Sequence, residues 1–290
     1  MFIALYFILV LVVIGSFIYL KYFHKKVENF QDKYNLAGDD FDKQYVDMYD
    51  LVWVNRKKDK CIADFINENL LKKGKKEDIN ILDCGCRTGN MNNLFSEMGY
   101  KSTGVDKSKN MLKKGANYYP GDTLLRGDIT NYRLFGGKKY SHIYIGDNVL
   151  NMMSHKDMNK IIRNSYYWLK PGGYLVVDIK DIDKLDYFPE EYSQYYVDDK
   201  GNKHSFTYYK NFLYDRYFIN EGKDKYSLYE KVILENNKER IMKHSLVIPK
   251  RNELVKLIEK NGFKFDGLLE DDKIKNGNGF DIMYFKKINL

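Results

Sequence analysis

Residues 79–90 read INILDCGCRTGN: an apolar run ends in Asp83, and glycines follow at Gly85 and Gly89. A short apolar run bounded by turn residues has the form of a buried strand that breaks into a loop. In open parallel sheets, ligands sit beyond the carboxyl ends of the strands, where the strand order reverses. The loop after this strand is therefore the expected binding place. Arg87, in the middle of it, is the residue that needs explaining.

The pattern on either side repeats strand, loop and helix. Strands are predicted at 79–82, 101–106, 123–128, 140–146 and 174–179, and helices at 91–98, from 111 to 114, and at 157–169. Gly99 suits the C-terminal cap of the first of these helices. LKPGG at 169–173 is a helix stop and turn. Two more helices are predicted upstream, over 41–52 and 58–71, from apolar residues at helical spacing. Short buried strands alternating with helices predict an α/β fold with a doubly wound, mostly parallel sheet. The pattern changes between residues 192 and 248, where SFTYYKNFLYDRYFI, YSLYEKVIL and RIMKHSLVI alternate. These read as antiparallel strands inserted before the last helix, which is predicted over 251–261 and ends at Gly262. Strands around 263–269 and 280–286 close the chain.

The chain of 290 residues is 44% apolar and 16% aromatic, enough for a sizeable core, and its 26 tyrosines suit half-buried strands and pocket walls. The formal net charge is +8, with the charges interspersed as on a solvated surface rather than gathered into a nucleic-acid stripe. Three cysteines, Cys61, Cys84 and Cys86, make no disulfide framework, and no second Cys/His pair completes a zinc site. Free thiols fit a reducing compartment.

Residues 2–20 form an uncharged run, FIALYFILVLVVIGSFIYL. At ~1.5 Å per residue it spans ~28 Å, the thickness of a bilayer core. No Lys or Arg precedes it, and aromatics crowd its end, which favours an uncleaved anchor over a signal peptide. Lys21, Lys25 and Lys26 follow, so the rest of the chain is expected to face the cytoplasm as a single-pass membrane protein. The expected organisation is a transmembrane helix at 1–21, a linker at 22–40, and a catalytic domain at 41–290 with its strand insert at 192–248.

Three motif readings of the glycine loop can be compared. A P-loop needs Lys-Ser/Thr after its last glycine, and none follows Gly89. A dinucleotide fingerprint needs G-x-G-x-x-G, and Gly85 and Gly89 have the wrong spacing. The run Asp83-Cys84-Gly85-Cys86-Arg87-Thr88-Gly89 resembles the D-x-G-C-G-T-G loop of class I S-adenosylmethionine-dependent methyltransferases of the type 11/25 kind, departing from it at Arg87. GVD at 104–106, D-x-S-x-x-M-L at 106–112, GDI at 127–129, IGDNVLNMM at 145–153 and LKPGG at 169–173 follow in the family's order. The resemblance covers about residues 45–285. It implies a seven-stranded Rossmann-like sheet, S-adenosylmethionine as cofactor, and methyl transfer as activity.

The resemblance also implies site residues. In the first loop these are Asp83, Gly85, Cys86, Arg87, Thr88 and Gly89. Asp106 would hold the ribose hydroxyls, with Lys107 and Met111 beside it. Asp128 and Ile129 would meet the adenine, and Gly146 and Asp147 would line the methionine end. Tyr45 and Tyr49 resemble residues that close over the cofactor. Arg87 stands where the family has a glycine. With the side chain in solvent the loop stays intact; turned inward it meets the methionine end.

Methyl transfer needs a general base only if the acceptor is protonated. His155, His204 and His244 are the candidates, and none is singled out. No metal is implied. The chain lacks the (N/D)-P-P-(Y/F) signature of nucleic-acid amino methyltransferases, which disfavours nucleic acid as substrate. The expected acceptor is a small molecule or, given the anchor, a lipid-like compound. The alternatives are an RNA or protein methyltransferase, or a tethered module that has kept the fold and binds a partner without transfer.

Overall fold

The computed structural model describes residues 33–34, 42–137, 139–180, 194–235, 238–270 and 280–288. The expected anchor at 1–21 lies outside the described residues, as does the linker at 22–40 apart from residues 33–34. Among the described residues no helix is long and apolar enough to cross a membrane.

Asp42 begins the fold by capping helix α1 (Lys43–Trp53): its carboxylate accepts the Tyr45 N–H at 2.9 Å. Asn55 caps α2 (Arg56–Asn69) in the same way, through the Lys58 N–H. The predicted alternation then follows. It runs β2 (Asn80–Cys84), α3 (Asn90–Glu97), β3 (Lys101–Asp106), α4 (Lys109–Tyr118) and β4 (Thr123–Arg126). It continues through β5 (Tyr140–Ile145), α5 (His155–Trp168) and β6 (Leu169–Lys180). The LKPGG turn lies within the bounds of β6, where the pairing with β5 slips between Tyr140 and His142. Helix α6 (Arg251–Lys260) leads to β12 (Phe263–Leu269) and β13 (Phe280–Lys287).

These strands form a seven-stranded sheet in the order β12-β13-β6-β5-β2-β3-β4. Every pair from β6 to β4 is parallel, and β13 runs against both its neighbours. The order reverses between β2 and β5. Successive residues on the central strands bury opposite faces. Leu82, Ile143, Ile145, Leu175 and Val177 pack with α5 and α6, whereas Ile81, Tyr144 and Val176 pack with α2 and α3. Both faces are covered, as a parallel sheet requires.

The chain forms two compact units. The first holds the seven-stranded sheet together with residues 219–227 and 244–290. The second holds residues 194–218 and 228–243 with the short strand β1 (Lys33–Tyr34). The tyrosine-rich segment is antiparallel, as expected. Strands β7 (Gln194–Val197), β8 (Lys203–Tyr209), β9 (Phe212–Gly222), β10 (Lys225–Leu234) and β11 (Glu239–Val247) form a meander, and β1 pairs parallel with β11 at its edge.

Gly115, in α4, is the close contact between that helix and the glycine loop. A Cβ there would lie 2.5 Å from the Thr88 carbonyl oxygen, a backbone atom that cannot step aside alone. Alanine gains about 1 kcal/mol of helix propensity, while overpacking costs about 1–3 kcal/mol. Packing wins, so Gly115→Ala is expected to lower stability by about 1 kcal/mol in urea unfolding. A stability gain would show that the loop yields freely.

Candidate functional site

The switch point between β2 and β5 carries the loop. Three of its residues are left-handed: Gly85 (φ 75°), Arg87 (φ 53°) and Gly89 (φ 83°). The Gly85 and Cys86 N–H groups both donate to the Val105 carbonyl, at 2.8 and 3.0 Å, and the Gly89 N–H closes the turn on Cys86 O at 2.7 Å. The loop's backbone therefore has the form the motif requires, with arginine accepting a conformation that costs it of order 1 kcal/mol. Asp106, at the end of β3, reaches back to it. One carboxylate oxygen accepts the Arg87 N–H at 3.0 Å and the other the Ser108 N–H at 2.8 Å. Ser108, not Asp106, caps α4 with its side chain.

Asp83 sits opposite Tyr144 in the β2–β5 register and so faces α2. It is buried, and its Oδ2 has no hydrogen-bond partner. Burial, then the charge of Asp147, holds its carboxyl well above the usual range. Helix α2 brings Lys58 and Asp59 to the same place. Lys58 Nζ lies 3.4 Å from Asp147 Oδ1 and 3.7 Å from Asp59 Oδ1. Asp59 also accepts from Asn90 at 2.6 Å. Burial and then Asp147 push the Asp59 carboxyl up to about 7. No sequence motif marks Lys58 or Asp59, which lie far from the loop along the chain.

Arg87 does not extend into solvent. It is half-buried, with Nη1 donating to the Tyr49 hydroxyl and Nη2 to the Asp147 carbonyl at 2.5 Å. Its guanidinium lies 5.4 Å from the centre of the Tyr49 ring. The solvent-pointing alternative is thereby corrected: a left-handed backbone at this position aims the side chain across the slot, where a phenol and a carbonyl receive it. Thr88 ties the loop to α1 as well, donating to Asp50 at 2.7 Å, and Asp50 in turn pairs with Lys114 of α4 at 3.0 Å.

Other expected residues are placed unevenly. Tyr49, Asp83, Gly85, Cys86, Arg87, Thr88, Gly146 and Asp147 line one pocket. Gly85 and Gly146 leave no room there for side chains: a Cβ would meet Val149 Cγ2 at 2.4 Å and the Tyr144 hydroxyl at 1.9 Å. Tyr45 is buried one helical turn from Tyr49, with ring centres 6.1 Å apart. Met111 is fully buried in α4. Asp128 serves a turn, since one oxygen takes both the N–H and the hydroxyl of Thr130, and Lys107 lies 3.6 Å from the other. Partial burial pushes its carboxyl up, but Thr130 and Lys107 together outweigh this and hold it below its usual range. Ile129 is buried beside it.

The histidines separate. His155 is half exposed and meets Asp224 at 2.7 Å. His204 lies in the second unit, with Nδ1 3.0 Å from Asp215 and stacked on Tyr196. His244 is buried, its ring centre 6.2 Å from that of Tyr45.

The Asp59 carboxyl has a testable consequence. Below about pH 4 it is protonated in both folded and unfolded chains. Between 3.8 and about 7 the unfolded chain ionises while the folded one keeps its proton, so stability falls as pH rises. Above that window the full penalty stands. Asp59→Asn is expected to flatten the pH dependence of the urea midpoint across this window, by up to about 1.4 kcal/mol per pH unit. An unchanged slope would place the charge crowding elsewhere.

Comparison with known proteins agrees with this geometry. Residues 81–173 match the family model described as a methyltransferase domain. The dTDP-3-amino-3,4,6-trideoxy-alpha-D-glucopyranose N,N-dimethyltransferase of Streptomyces venezuelae is 26% identical over 139 residues, 48% of this chain and 58% of that enzyme. The chain thus spans little more than half the length of this curated relative. The CcbJ methyltransferase of Streptomyces caelestis has a similar structure, with TM-score 0.68 at 16% identity over 86% of this chain and 100% of that one. CalS10 of Micromonospora echinaspora, an amino pentose methyltransferase with bound S-adenosylmethionine, gives 0.59 at 18% identity, over 85% and 98% of the two chains. Residues 81–173 are therefore a methyltransferase domain, and the chain carries the class I S-adenosylmethionine-dependent methyltransferase fold.

Proposed function

We propose that this protein transfers a methyl group from S-adenosylmethionine to an amino group of a small, carbohydrate-like acceptor. The observation that carries this reading is an unpartnered, buried carboxylate oxygen, on Asp83, in a slot whose walls at Gly85 and Gly146 are bare backbone. A nucleoside with an amino-acid end and no phosphate suits such a slot: it needs close backbone approach and acceptors for its donors.

Bound cofactor supplies a methyl group on a sulfonium, open to in-line displacement. The chain's own residues bind and align. Asp106, already oriented by two N–H groups, keeps lone pairs for the two ribose hydroxyls. Ile129 gives the adenine an apolar wall, with Asp128 at its polar edge. Tyr45 and Tyr49 cover the slot from α1 and exclude water. Alignment of this kind supplies ~7–11 kcal/mol in favourable cases. An amine acceptor attacks as the neutral base and loses its proton after transfer. His244, beside Tyr45, is the candidate to receive it. The amine class is supported by the curated relative, whose name specifies a 3-amino sugar nucleotide.

We also infer that residues 2–20 anchor the domain on the cytoplasmic face of a membrane, supported by the uncharged run and the lysines that follow. This anchor keeps a lipid-linked acceptor as the second reading.

Calorimetry with S-adenosylhomocysteine tests the site. Asp106→Ala removes two charge-assisted hydrogen bonds worth ~1.5–3 kcal/mol each, so affinity is expected to fall at least about tenfold. Unaltered affinity would remove the ribose role. Labelled methyl is expected in nucleotide-linked amino sugars supplied as acceptors; label found only in a lipid extract would overturn the acceptor class. The full chain is expected to pellet with membranes and resist carbonate, and its release would remove the anchor.

A further inference from the structure

Among the described residues, two groups in the slot stand outside any ion pair, a guanidinium and a buried carboxyl. The Arg87 guanidinium is held by the Tyr49 hydroxyl, the Asp147 carbonyl and, at 3.6 Å, the Met152 sulfur. Each of these is neutral. Arg87 forms no ion pair among the described residues, and the nearby Asp147 carboxylate is engaged by Lys58. The guanidinium is hydrogen-bonded only to neutral acceptors, and the Asp147 carboxylate acts on it without an ion pair, so it can still take a carboxylate in direct contact. Asp83 is its complement, buried with one oxygen unpartnered. Both side chains line the same pocket, and Arg87 is the one cation among the residues that line it, against Asp59, Asp83 and Asp147.

An α-carboxylate entering beside the Asp147 carboxylate would be repelled unless a cation received it. An α-ammonium there needs a carboxylate. We infer that Arg87 and Asp83 together form the receptor for the zwitterionic amino-acid end of the cofactor, with Arg87 taking the carboxylate and Asp83 the ammonium. The inference rests on the function proposed above and adds the specificity device. It explains why an arginine is tolerated where the motif has a glycine. The guanidinium fork matches a carboxylate in two parallel hydrogen bonds. Tyr49 and Asp147 fix the fork's direction before the ligand arrives. The strain of the left-handed backbone is offset when the charge is paired.

The test compares two nucleosides on the full chain by calorimetry: S-adenosylhomocysteine, and 5′-methylthioadenosine, which has the same thioether but no amino-acid end. The native protein is expected to prefer S-adenosylhomocysteine strongly. Arg87→Gln keeps the backbone demand and removes the charge. It is expected to weaken S-adenosylhomocysteine at least tenfold while changing 5′-methylthioadenosine less than twofold, and Arg87→Lys is expected to recover part of the loss. Equal weakening of both ligands in Arg87→Gln, or tighter binding of S-adenosylhomocysteine, overturns the receptor. Equal affinity of the native protein for both ligands overturns it too, while leaving the nucleoside site standing. Binding of neither by the native protein overturns the cofactor reading and this role with it.

Discussion

The Asp106 carboxylate accepts the N–H of Arg87 with one oxygen and the N–H of Ser108 with the other. The first bond joins the end of β3 to the loop after β2, the second holds the carboxylate in place from its own turn, and the slot takes its form from that junction. Val105, one residue earlier, receives two further N–H groups from the same loop. The loop is thus clamped to the neighbouring strand at three consecutive amides, Gly85 to Arg87. The clamp demands left-handed backbone at Gly85 and Arg87, and the α3 cap demands it again at Gly89. Glycine meets that demand without strain, and arginine meets it only because the surrounding bonds over-determine the turn.

Charge is the second constraint. Asp59, Asp83, Asp147 and, from β6, Asp178 act together on Tyr144, with Lys58 and Arg87 near them. Buried away from water, carboxylates at such distances repel and hold their protons, as the elevated Asp59 and Asp83 show. For Lys58, burial lowers the ammonium's hold on its proton. Asp147, Asp59 and Asp178 outweigh that and keep it charged. The slot holds more carboxyl groups than cations, and a cation entering it draws a raised carboxyl back to its ionised form, which favours a ligand whose cationic groups outnumber its carboxylate; S-adenosylmethionine has two against one. The aromatic faces of α1 add to the attraction for cations.

Helix α1 is bound to this arrangement through both its faces. Tyr45 and Tyr49 are buried, and Asp50 bridges Thr88 of the loop to Lys114 of α4. Tyr49 meets Arg87, so the helix that covers the slot and the loop that floors it are joined through one side chain. Anything that displaces the guanidinium also loosens α1 at Tyr49.

The strand and helix alternation was legible because hydrophobic period and turn residues are local. Residues 101–106 are a strand at the bounds expected, and 263–269 likewise. The glycine loop was legible because left-handed backbone needs particular residues in a row. Asp106 was legible because one βα unit separates it from the loop by a nearly fixed length. The rest depended on long-range meeting. Arg87 finds a partner 38 residues upstream and another 60 downstream, and Lys58 finds Asp147 across 89. Asp128, expected at the adenine, has half its carboxylate taken by a turn two residues on. His244 came beside Tyr45 while His204 took Asp215 and Tyr196, a difference set by strand register that alternating sequence leaves open. The sequence by itself determined where backbone must bend and which strands must be buried, since those demands are satisfied within a few residues. Only the tertiary structure decided where the arginine points and which carboxylates crowd together, since that depends on which distant elements the sheet order brings within reach.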